Sequence, residues 1–240
     1  MNKSILTIAV AMIAFALYLS SCKKDDVVNP SNPANSKPEV FPHDATMYGK
    51  TYSEWAAEWW KWNLQFDCDH IPLRDTDGWK EYQKQSGDVF FFAGKRGDTL
   101  SITVPAGVSV LFPLISFETE YPCKDNGDPN PGESIEQFLT RLTLASTNAM
   151  DQLSLTIDGV SIANISSYKV VSPVFITAAN ADLANCFDGC ITGIAQPFVA
   201  GGYFFMLKPL SAGHHTIRRV GGASSLFPFL YDITYNITQL

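Results

Sequence analysis

The spacing of apolar residues alternates between helical and strand periodicity along the chain. Helical spacing occurs at residues 51–65 and 134–150, and most other segments beyond residue 87 alternate with a period of two or form short apolar runs. Asp158-Gly159 joins two alternating stretches and is a strong hairpin signal. We predict about nine strands and two helices, arranged as a mainly β, antiparallel β-sandwich or jelly-roll-like single domain.

Both helices are preceded by capping signals. Thr51 is followed three residues later by Glu54, and Ser134 is followed three residues later by Gln137. Each pair matches the capping box, in which the two side chains satisfy free N–H groups of the first helical turn. We predict that the first helix ends near Gln65 and the second by about Met150.

The first helix carries one aromatic face. Its members recur at helical spacing and are Tyr52, Trp55, Trp59 and Trp62. Rings of this size bury large areas, so we predict that this face packs against the sheet. Trp60 lies off the stripe and is predicted to be the most exposed of the four tryptophans. The alternative is an aromatic platform for a glycan, with Trp60 and the carboxylates Glu58, Asp75 and Asp77 as the candidate ligand-binding residues.

The first residues of the sequence match the pattern of an export signal. Lys3 precedes an apolar run from Ile5 to Leu19, which is shorter than the roughly 20 residues that cross a bilayer. The sequence Leu19-Ser20-Ser21-Cys22 resembles the lipobox of bacterial lipoproteins, in which the cysteine is acylated. We predict a lipoprotein signal peptide at residues 1–21 and a lipid (palmitate) anchor on Cys22. An uncleaved transmembrane anchor is the alternative.

The segment after Cys22 is predicted to be a tether. Lys23-Lys24-Asp25-Asp26 resembles the surface-export signal of Bacteroidetes lipoproteins, and a solvated tether is the alternative. Residues 22–45 are rich in proline and polar side chains, which is typical of an extended linker. We expect a domain at residues 46–240, held at the outer membrane and facing the cell surface.

Four further cysteines indicate disulfides in an oxidising compartment: Cys68, Cys123, Cys186 and Cys190. Four cysteines allow three pairings. The short spacing favours a local Cys186–Cys190 loop, which leaves Cys68 and Cys123 as a long-range pair. A redox site more typically has a Cys-x-x-Cys spacing, and a zinc site lacks histidines nearby.

Charge and motifs exclude several function classes. The formal net charge of −7 argues against a nucleic-acid partner, since such binding depends on lysine and arginine. We find no nucleophile elbow, zinc-protease motif or phosphate loop, and we expect no cofactor. Histidine is scarce, and a catalytic role for His214 or His215 with a serine or cysteine partner stays open.

An acidic stretch from Glu118 to Glu133 is predicted to be a loop. Its oxygen ligands suit calcium, and the weak candidate set is Glu118, Glu120, Asp125 and Asp128. The spacing of residues 125–130 does not match an EF-hand. An ordinary solvated loop is therefore favoured over a metal site.

Several motifs together resemble one family of secreted bacterial proteins that has no assigned function. They are the tryptophan helix at 55–62, Gly87–Gly94, Val104-Pro105-Ala106-Gly107 running to Pro113, Thr156–Val160, Ser172–Phe175, Gly202-Tyr203, Leu207–Leu210 and Gly213–Ile217. The resemblance covers about residues 46–240. It supplies no catalytic residue.

The sequence supports three functional hypotheses. The first is a non-enzymatic surface lipoprotein that binds a ligand, such as a glycan, or an envelope protein. The second is an extracellular hydrolase that acts on glycan or peptide through loop carboxylates. The third is a structural component of the envelope. The first rests on what β-sandwiches often do, which is an analogy at the level of the fold.

Overall fold

Ten strands and two α-helices occur in a computed structural model that describes residues 38–78, 80, 83–225 and 229–240. The predicted signal peptide, Cys22 and residues 22–37 of the predicted linker lie outside these ranges. The helices are α1 (Tyr52–Asn63) and α2 (Ile135–Asn148). The strands are β1 (Val89–Phe91), β2 (Thr99–Val104), β3 (Ser109–Glu120), β4 (Gln152–Ile157), β5 (Val160–Ser161), β6 (Lys169–Val171), β7 (Phe175–Ala178), β8 (Ala195–Leu207), β9 (Gly213–Ala223) and β10 (Phe229–Gln239).

The strands form two five-stranded sheets. The first has the order β1-β3-β8-β6, with β7 also paired to β8, and the second has the order β2-β10-β9-β4-β5. The mainly β, sandwich-like class with two helices is confirmed, but the sheets are mixed. β1 runs parallel to β3, and β2 runs parallel to β10. β1 and β3 are parallel because the chain crosses to the second sheet as β2 before it returns.

Local signals placed both helices and the hairpin correctly. The Thr51 hydroxyl accepts from the Glu54 N–H while the Glu54 carboxylate accepts from the Thr51 N–H, and Ser134 and Gln137 repeat the arrangement. The β4–β5 turn has positive φ at Asp158 and Gly159, as its dipeptide predicts. These features form from contacts within a few residues, which is why the sequence alone reveals them.

The first sheet is the middle layer of the domain. One of its faces packs on α1 and the other on the second sheet. In β8, for example, Phe204 belongs to the core under α1 and Phe205 to the core between the sheets. Burial on both faces explains the long apolar runs of β3 and β8. The second helix, α2, packs beside them through Phe138 and Leu139.

All four tryptophans of α1 are buried, so the predicted exposure of Trp60 is wrong. Trp60 is only 3% exposed. Its ring lies 6.1 Å from that of Phe187, and its indole N–H donates to the Ser116 hydroxyl at 2.7 Å. A loop more than a hundred residues away in sequence covers Trp60, which helical periodicity does not reveal. A platform of exposed tryptophans is thereby excluded.

Two disulfides are present, but the favoured pairing is wrong. Cys68 pairs with Cys186, and Cys123 pairs with Cys190. The two cysteines of the 186–190 loop therefore attach it to two different segments, over sequence separations of 118 and 67 residues. The loop is held to the segment after α1 on one side and to the segment after β3 on the other.

The last residues of the predicted linker pair with β8. The Phe41 N–H donates to the Met206 carbonyl, and the Lys208 N–H donates to the Glu39 carbonyl. The chain thus joins the folded unit by about residue 39. Within the described ranges, neither helix is long and apolar enough to cross a bilayer.

Candidate functional site

A pocket of about 730 Å³ opens along β3. β1 pairs only with Ser109–Leu111, so the following part of β3 has no strand beside it on that side in the described chain. The register of β3 against β8 shifts between Pro113 and Ile115. Pro113 and residues 115–118 of β3 line the pocket. Its volume falls within the usual range for small-molecule sites.

Aromatic rings from four separate segments form much of the wall. They are Trp59, Trp60, Phe117, Phe187 and Tyr231. The tryptophans are buried and form the floor, whereas Phe117, Phe187 and Tyr231 keep partly exposed side chains. The rings available to a ligand are therefore supplied by β3, the 186–190 loop and β10. The predicted tryptophan helix only supports them.

The pocket is rich in positive charge. Its basic side chains are Arg74, Lys95, Arg96 and Arg219, and Glu118 is the one acidic residue in the wall. In the described ranges, none of the four basic groups forms an ion pair with a carboxylate. Elsewhere, Arg141 is paired with Glu133 and Arg218 with Asp232. A chain of net charge −7 thus concentrates unpaired cations around one cavity.

Arg219 is the most deeply placed of these cations. It is 3% exposed and donates to the Tyr235 hydroxyl at 2.8 Å and to the Leu114 carbonyl at 2.9 Å. It also donates to the Ala93 carbonyl at 3.4 Å. All of these acceptors are neutral. A buried charge without an opposite charge is costly, so an anion would be favoured in the pocket beside Arg219.

Three carboxylates cluster beside the pocket. Oxygen atoms of Glu118, Glu120 and Asp188 lie within 4.8 Å of one another. Glu118 and Glu120 are alternate residues of β3 and share a face of the sheet. The predicted loop from Glu118 is therefore wrong for its first residues, which extend a strand. Disulfide Cys123–Cys190 brings Asp188 to the end of that strand.

Burial and mutual repulsion perturb the protonation of this cluster. Burial raises the pKa of Glu118 to about 8, and the charges of Glu120 and Asp188 add to the rise. Burial likewise raises the pKa of Glu120 to about 7, with a further contribution from Asp188. Carboxylates this close to one another oppose each other's ionisation.

The remaining candidates from the first half of the chain lie outside the pocket wall. Glu58 forms ion pairs with Lys50 at 3.3 Å and Lys61 at 3.0 Å. Partial burial acts to raise the pKa of Glu58. Hydrogen bonds and charges from the two lysines outweigh this effect, so the pKa lies below its ordinary value. Asp75 is buried in a turn, where it accepts from the Lys80 N–H at 2.9 Å, and Asp77 is exposed in the same turn.

The predicted calcium set is only partly brought together. Glu118 and Glu120 are neighbours, but Asp125 and Asp128 are exposed and belong to no group of converging ligands in the described chain. Asp188 takes their place. It could have been noticed from its position between Cys186 and Cys190. The pair Lys95-Arg96, two adjacent bases after an apolar strand, was a weaker signal for the pocket.

A serine, a histidine and an aspartate also meet at the β4–β5 turn. His215 Nδ1 is 2.7 Å from Asp158 Oδ2, and Nε2 is 3.4 Å from the Ser211 hydroxyl. However, Nε2 is closer to the Ser211 carbonyl, at 2.9 Å, than to the hydroxyl. The hydroxyl is therefore not placed in the close hydrogen bond that joins a catalytic serine to its histidine. The group fastens β9 to the hairpin.

Comparison with known proteins gives no family. No family model matches the chain, and no curated protein matches it significantly. Among solved structures, it is similar to a cysteine protease inhibitor from Entamoeba histolytica over 59% of this chain and 86% of that chain, with 12% identity and a TM-score of 0.22. Amebosin matches over 60% and 90%, with 13% identity and a TM-score of 0.20. Similarities this weak carry no argument here.

Proposed function

We propose that this chain is a lipid-anchored, surface-facing binding protein whose pocket takes a carbohydrate with an acidic group. One observation carries the proposal: a cavity with aromatic walls is surrounded by four basic side chains that have no carboxylate partner among the described residues. Rings of this kind pack against the faces of sugars, and the cations attract a carboxylate or sulfate. Three of the cations, Arg74, Lys95 and Arg96, are exposed.

Binding to matched sugars tests this proposal. The chain from Lys23 onward, which lacks the lipidated cysteine, is titrated calorimetrically with an oligogalacturonate and with a neutral malto-oligosaccharide of the same length. We expect the acidic sugar to bind at least tenfold more tightly than the neutral one. Its affinity should fall as salt is added, because exposed charges are screened. Equal affinity for both sugars, or no binding of either, contradicts the proposal.

Single substitutions locate the binding site. Lys95→Gln and Arg96→Gln should each lower the affinity for the acidic sugar by about tenfold, which is the typical effect of losing one hydrogen bond to a charged group. Lys169→Gln removes one exposed positive charge from β6, outside the pocket wall, and serves as the matched control. A control variant that weakens binding equally would indicate a general charge effect instead of a site.

A hydrolase is the second candidate, because the raised pKa of Glu118 suits a general acid at the pocket wall. The neighbouring carboxylate does not complete the pair. Glu120 is 1% exposed and is not part of the wall, so a sugar cannot reach it to use it as nucleophile or base. Release of reducing ends from an acidic polysaccharide, abolished in Glu118→Gln, would favour the hydrolase.

The anchor part of the proposal has its own test. Labelled palmitate should be incorporated into the protein and lost in Cys22→Ala. The unsubstituted protein should be in the membrane fraction and accessible to protease added to whole cells. Palmitate incorporation that persists in Cys22→Ala, or a mature chain that still begins at Met1, contradicts it.

A further inference from the structure

The carboxylate cluster beside the pocket has the features of an incomplete coordination sphere. Glu120 is 1% exposed, and its Oε1 atom has no hydrogen-bond partner among the described residues. A buried carboxylate oxygen without a partner carries the full cost of its lost hydration. The carboxylates of Glu118 and Asp188, which have oxygen atoms within 4.8 Å, do not relieve that cost because they are themselves acidic.

No positive side chain compensates for this arrangement. In the described chain, no lysine, arginine or histidine lies within ion-pair distance of the three carboxylates. Four other acidic residues there have lysine or arginine partners, namely Glu39, Glu58, Glu133 and Asp232, and Asp67 and Asp158 lie beside histidines. Three converging carboxylates without a counter-charge attract a cation.

The cluster is also held in place by covalent bonds. Asp188 lies in the loop that Cys68–Cys186 and Cys123–Cys190 tie down at both ends. Its Oδ1 accepts from the Cys190 N–H at 2.8 Å, which fixes the side chain within the loop. On the other side, Glu118 and Glu120 belong to a strand that is paired with β8 along this stretch. The ligand atoms are therefore positioned before any ion arrives.

We propose that Glu118, Glu120 and Asp188 form a Ca²⁺ site. Carboxylate oxygens are hard ligands and suit Ca²⁺ or Mg²⁺. The deep burial of Glu120 favours Ca²⁺, because Mg²⁺ gives up its bound waters reluctantly. Sulfur atoms of Cys123 and Cys190 also lie within 4.8 Å of the Glu120 carboxylate, but they are joined in a disulfide and supply no thiolate for zinc.

The site adjoins the pocket, since Glu118 contributes to both and Phe187 precedes Asp188. It does not depend on the identity of the pocket's ligand. A protein that binds no sugar could still bind Ca²⁺, and the two proposals fail separately.

Metal titration of the full chain tests the site. After treatment with EDTA and its removal, the protein is titrated with CaCl₂ and, separately, with MgCl₂. We expect a dissociation constant for Ca²⁺ of about 10⁻⁴ to 10⁻³ M, the range typical of extracellular modules, and at least tenfold weaker binding of Mg²⁺. The melting temperature should rise by several degrees at 10 mM Ca²⁺, because the ion binds only the folded state. The assignment is overturned if the titration produces no heat and the melting temperature does not shift. It is also overturned if both ions bind equally.

Terbium gives a readout that locates the ion. Tb³⁺ replaces Ca²⁺ on oxygen ligands, and Trp60 lines the same pocket as Glu118. Excitation of tryptophan should therefore produce Tb³⁺ luminescence that Ca²⁺ quenches by competition. Luminescence that excess Ca²⁺ leaves unchanged counts against the site.

Two variants and a matched control complete the test. Asp188→Asn and Glu120→Gln should each lower the affinity for Ca²⁺ by at least tenfold, since this affinity depends on the number of charged ligands. Asp125→Asn removes an exposed carboxylate outside the cluster and should change nothing. Asp188 is in a surface loop, so Asp188→Asn is the informative variant if Glu120→Gln fails to fold. Equal loss in Asp125→Asn and Asp188→Asn overturns the proposal.

Discussion

The aromatic face of α1 and the carboxylate cluster at the end of β3 are both buried, but only the first is complete within the chain. Each of the four indole N–H groups of α1 has an acceptor, and these are the carbonyls of Met47, Phe92 and Gln83 and the hydroxyl of Ser116. At the cluster, a carboxylate oxygen of Glu120 has no partner in the described chain.

The difference separates structural from functional burial. Polar atoms that are satisfied internally stabilise a unique packing and need nothing from outside. A buried cluster of like charges destabilises the folded state. The raised pKa values of Glu118 and Glu120 reflect the free-energy cost of ionising them there. We therefore assign the aromatic face of α1 to the core and propose that the cluster binds a ligand. Four measurements test this contrast.

The largest effect is expected in the tryptophan core. Trp59→Ala removes a ring that is 1% exposed and contacts Trp60, Trp62 and Phe204. We expect a loss of about 3–5 kcal/mol in the free energy of unfolding, from lost burial and the cavity left behind. Urea unfolding measures it, with Leu144→Ala on the exposed side of α2 as the control. A loss below about 1 kcal/mol would mean that α1 is not a structural core.

Removal of the disulfide that joins the cluster is expected next in size. Cys123→Ser combined with Cys190→Ser should cost about 2–5 kcal/mol and should also abolish Ca²⁺ binding, because Asp188 is then no longer held against β3. The Cys68–Cys186 disulfide closes a longer loop. Its removal by serine at both positions should cost about 0.5 kcal/mol more in the chain-entropy description. Full Ca²⁺ affinity in the first variant would show that the bond does not position the ligands.

Stability of the metal-free protein should depend on pH in the direction set by Glu118 and Glu120. Their pKa values are raised in the folded state, to about 8 and about 7, so the folded protein binds more protons than the unfolded chain above their ordinary pKa of 4.5. Their contribution is fully present below that value and is lost as pH rises towards 8, by at most about 1.4 kcal/mol per pH unit for each proton. Urea unfolding in EDTA from pH 5 to pH 8 measures this slope.

Saturating Ca²⁺ should reduce that loss, because the ion replaces the protons. Glu120→Gln provides a matched variant and should flatten the curve in EDTA. Stability that rises with pH over the same range would contradict the assignment of protons to this cluster.

The smallest effects should have opposite signs in the two regions. Trp59→Phe leaves the Phe92 carbonyl without its donor and should cost about 1 kcal/mol or more. In EDTA at pH 8, Glu120→Gln replaces a buried charge by a neutral group and should stabilise the protein by about 1 kcal/mol. Thermal unfolding compares the pair. Destabilisation by both would show that Glu120 has a structural role that its contacts do not reveal.

Much of the fold could be predicted from the sequence, because it depends on neighbours along the chain. Capping boxes at Thr51 and Ser134, the Asp158-Gly159 hairpin and the alternation of β2 all follow from contacts within one or two turns. The number of disulfides followed from an even count of cysteines. Their pairing did not follow, since the short spacing of Cys186 and Cys190 says nothing about which segments the fold brings to them.

The candidate site was decided almost wholly by tertiary structure. Glu118 and Glu120 were found as acidic residues, but their strand conformation depends on pairing with β8, about eighty residues further along the chain. Asp188 reaches them only through a disulfide, and Arg219 reaches the pocket only because β9 crosses beneath β3. Periodicity and capping record local hydrogen bonds, whereas a site that unites residues 74, 118, 188 and 219 is built from contacts that no local pattern encodes.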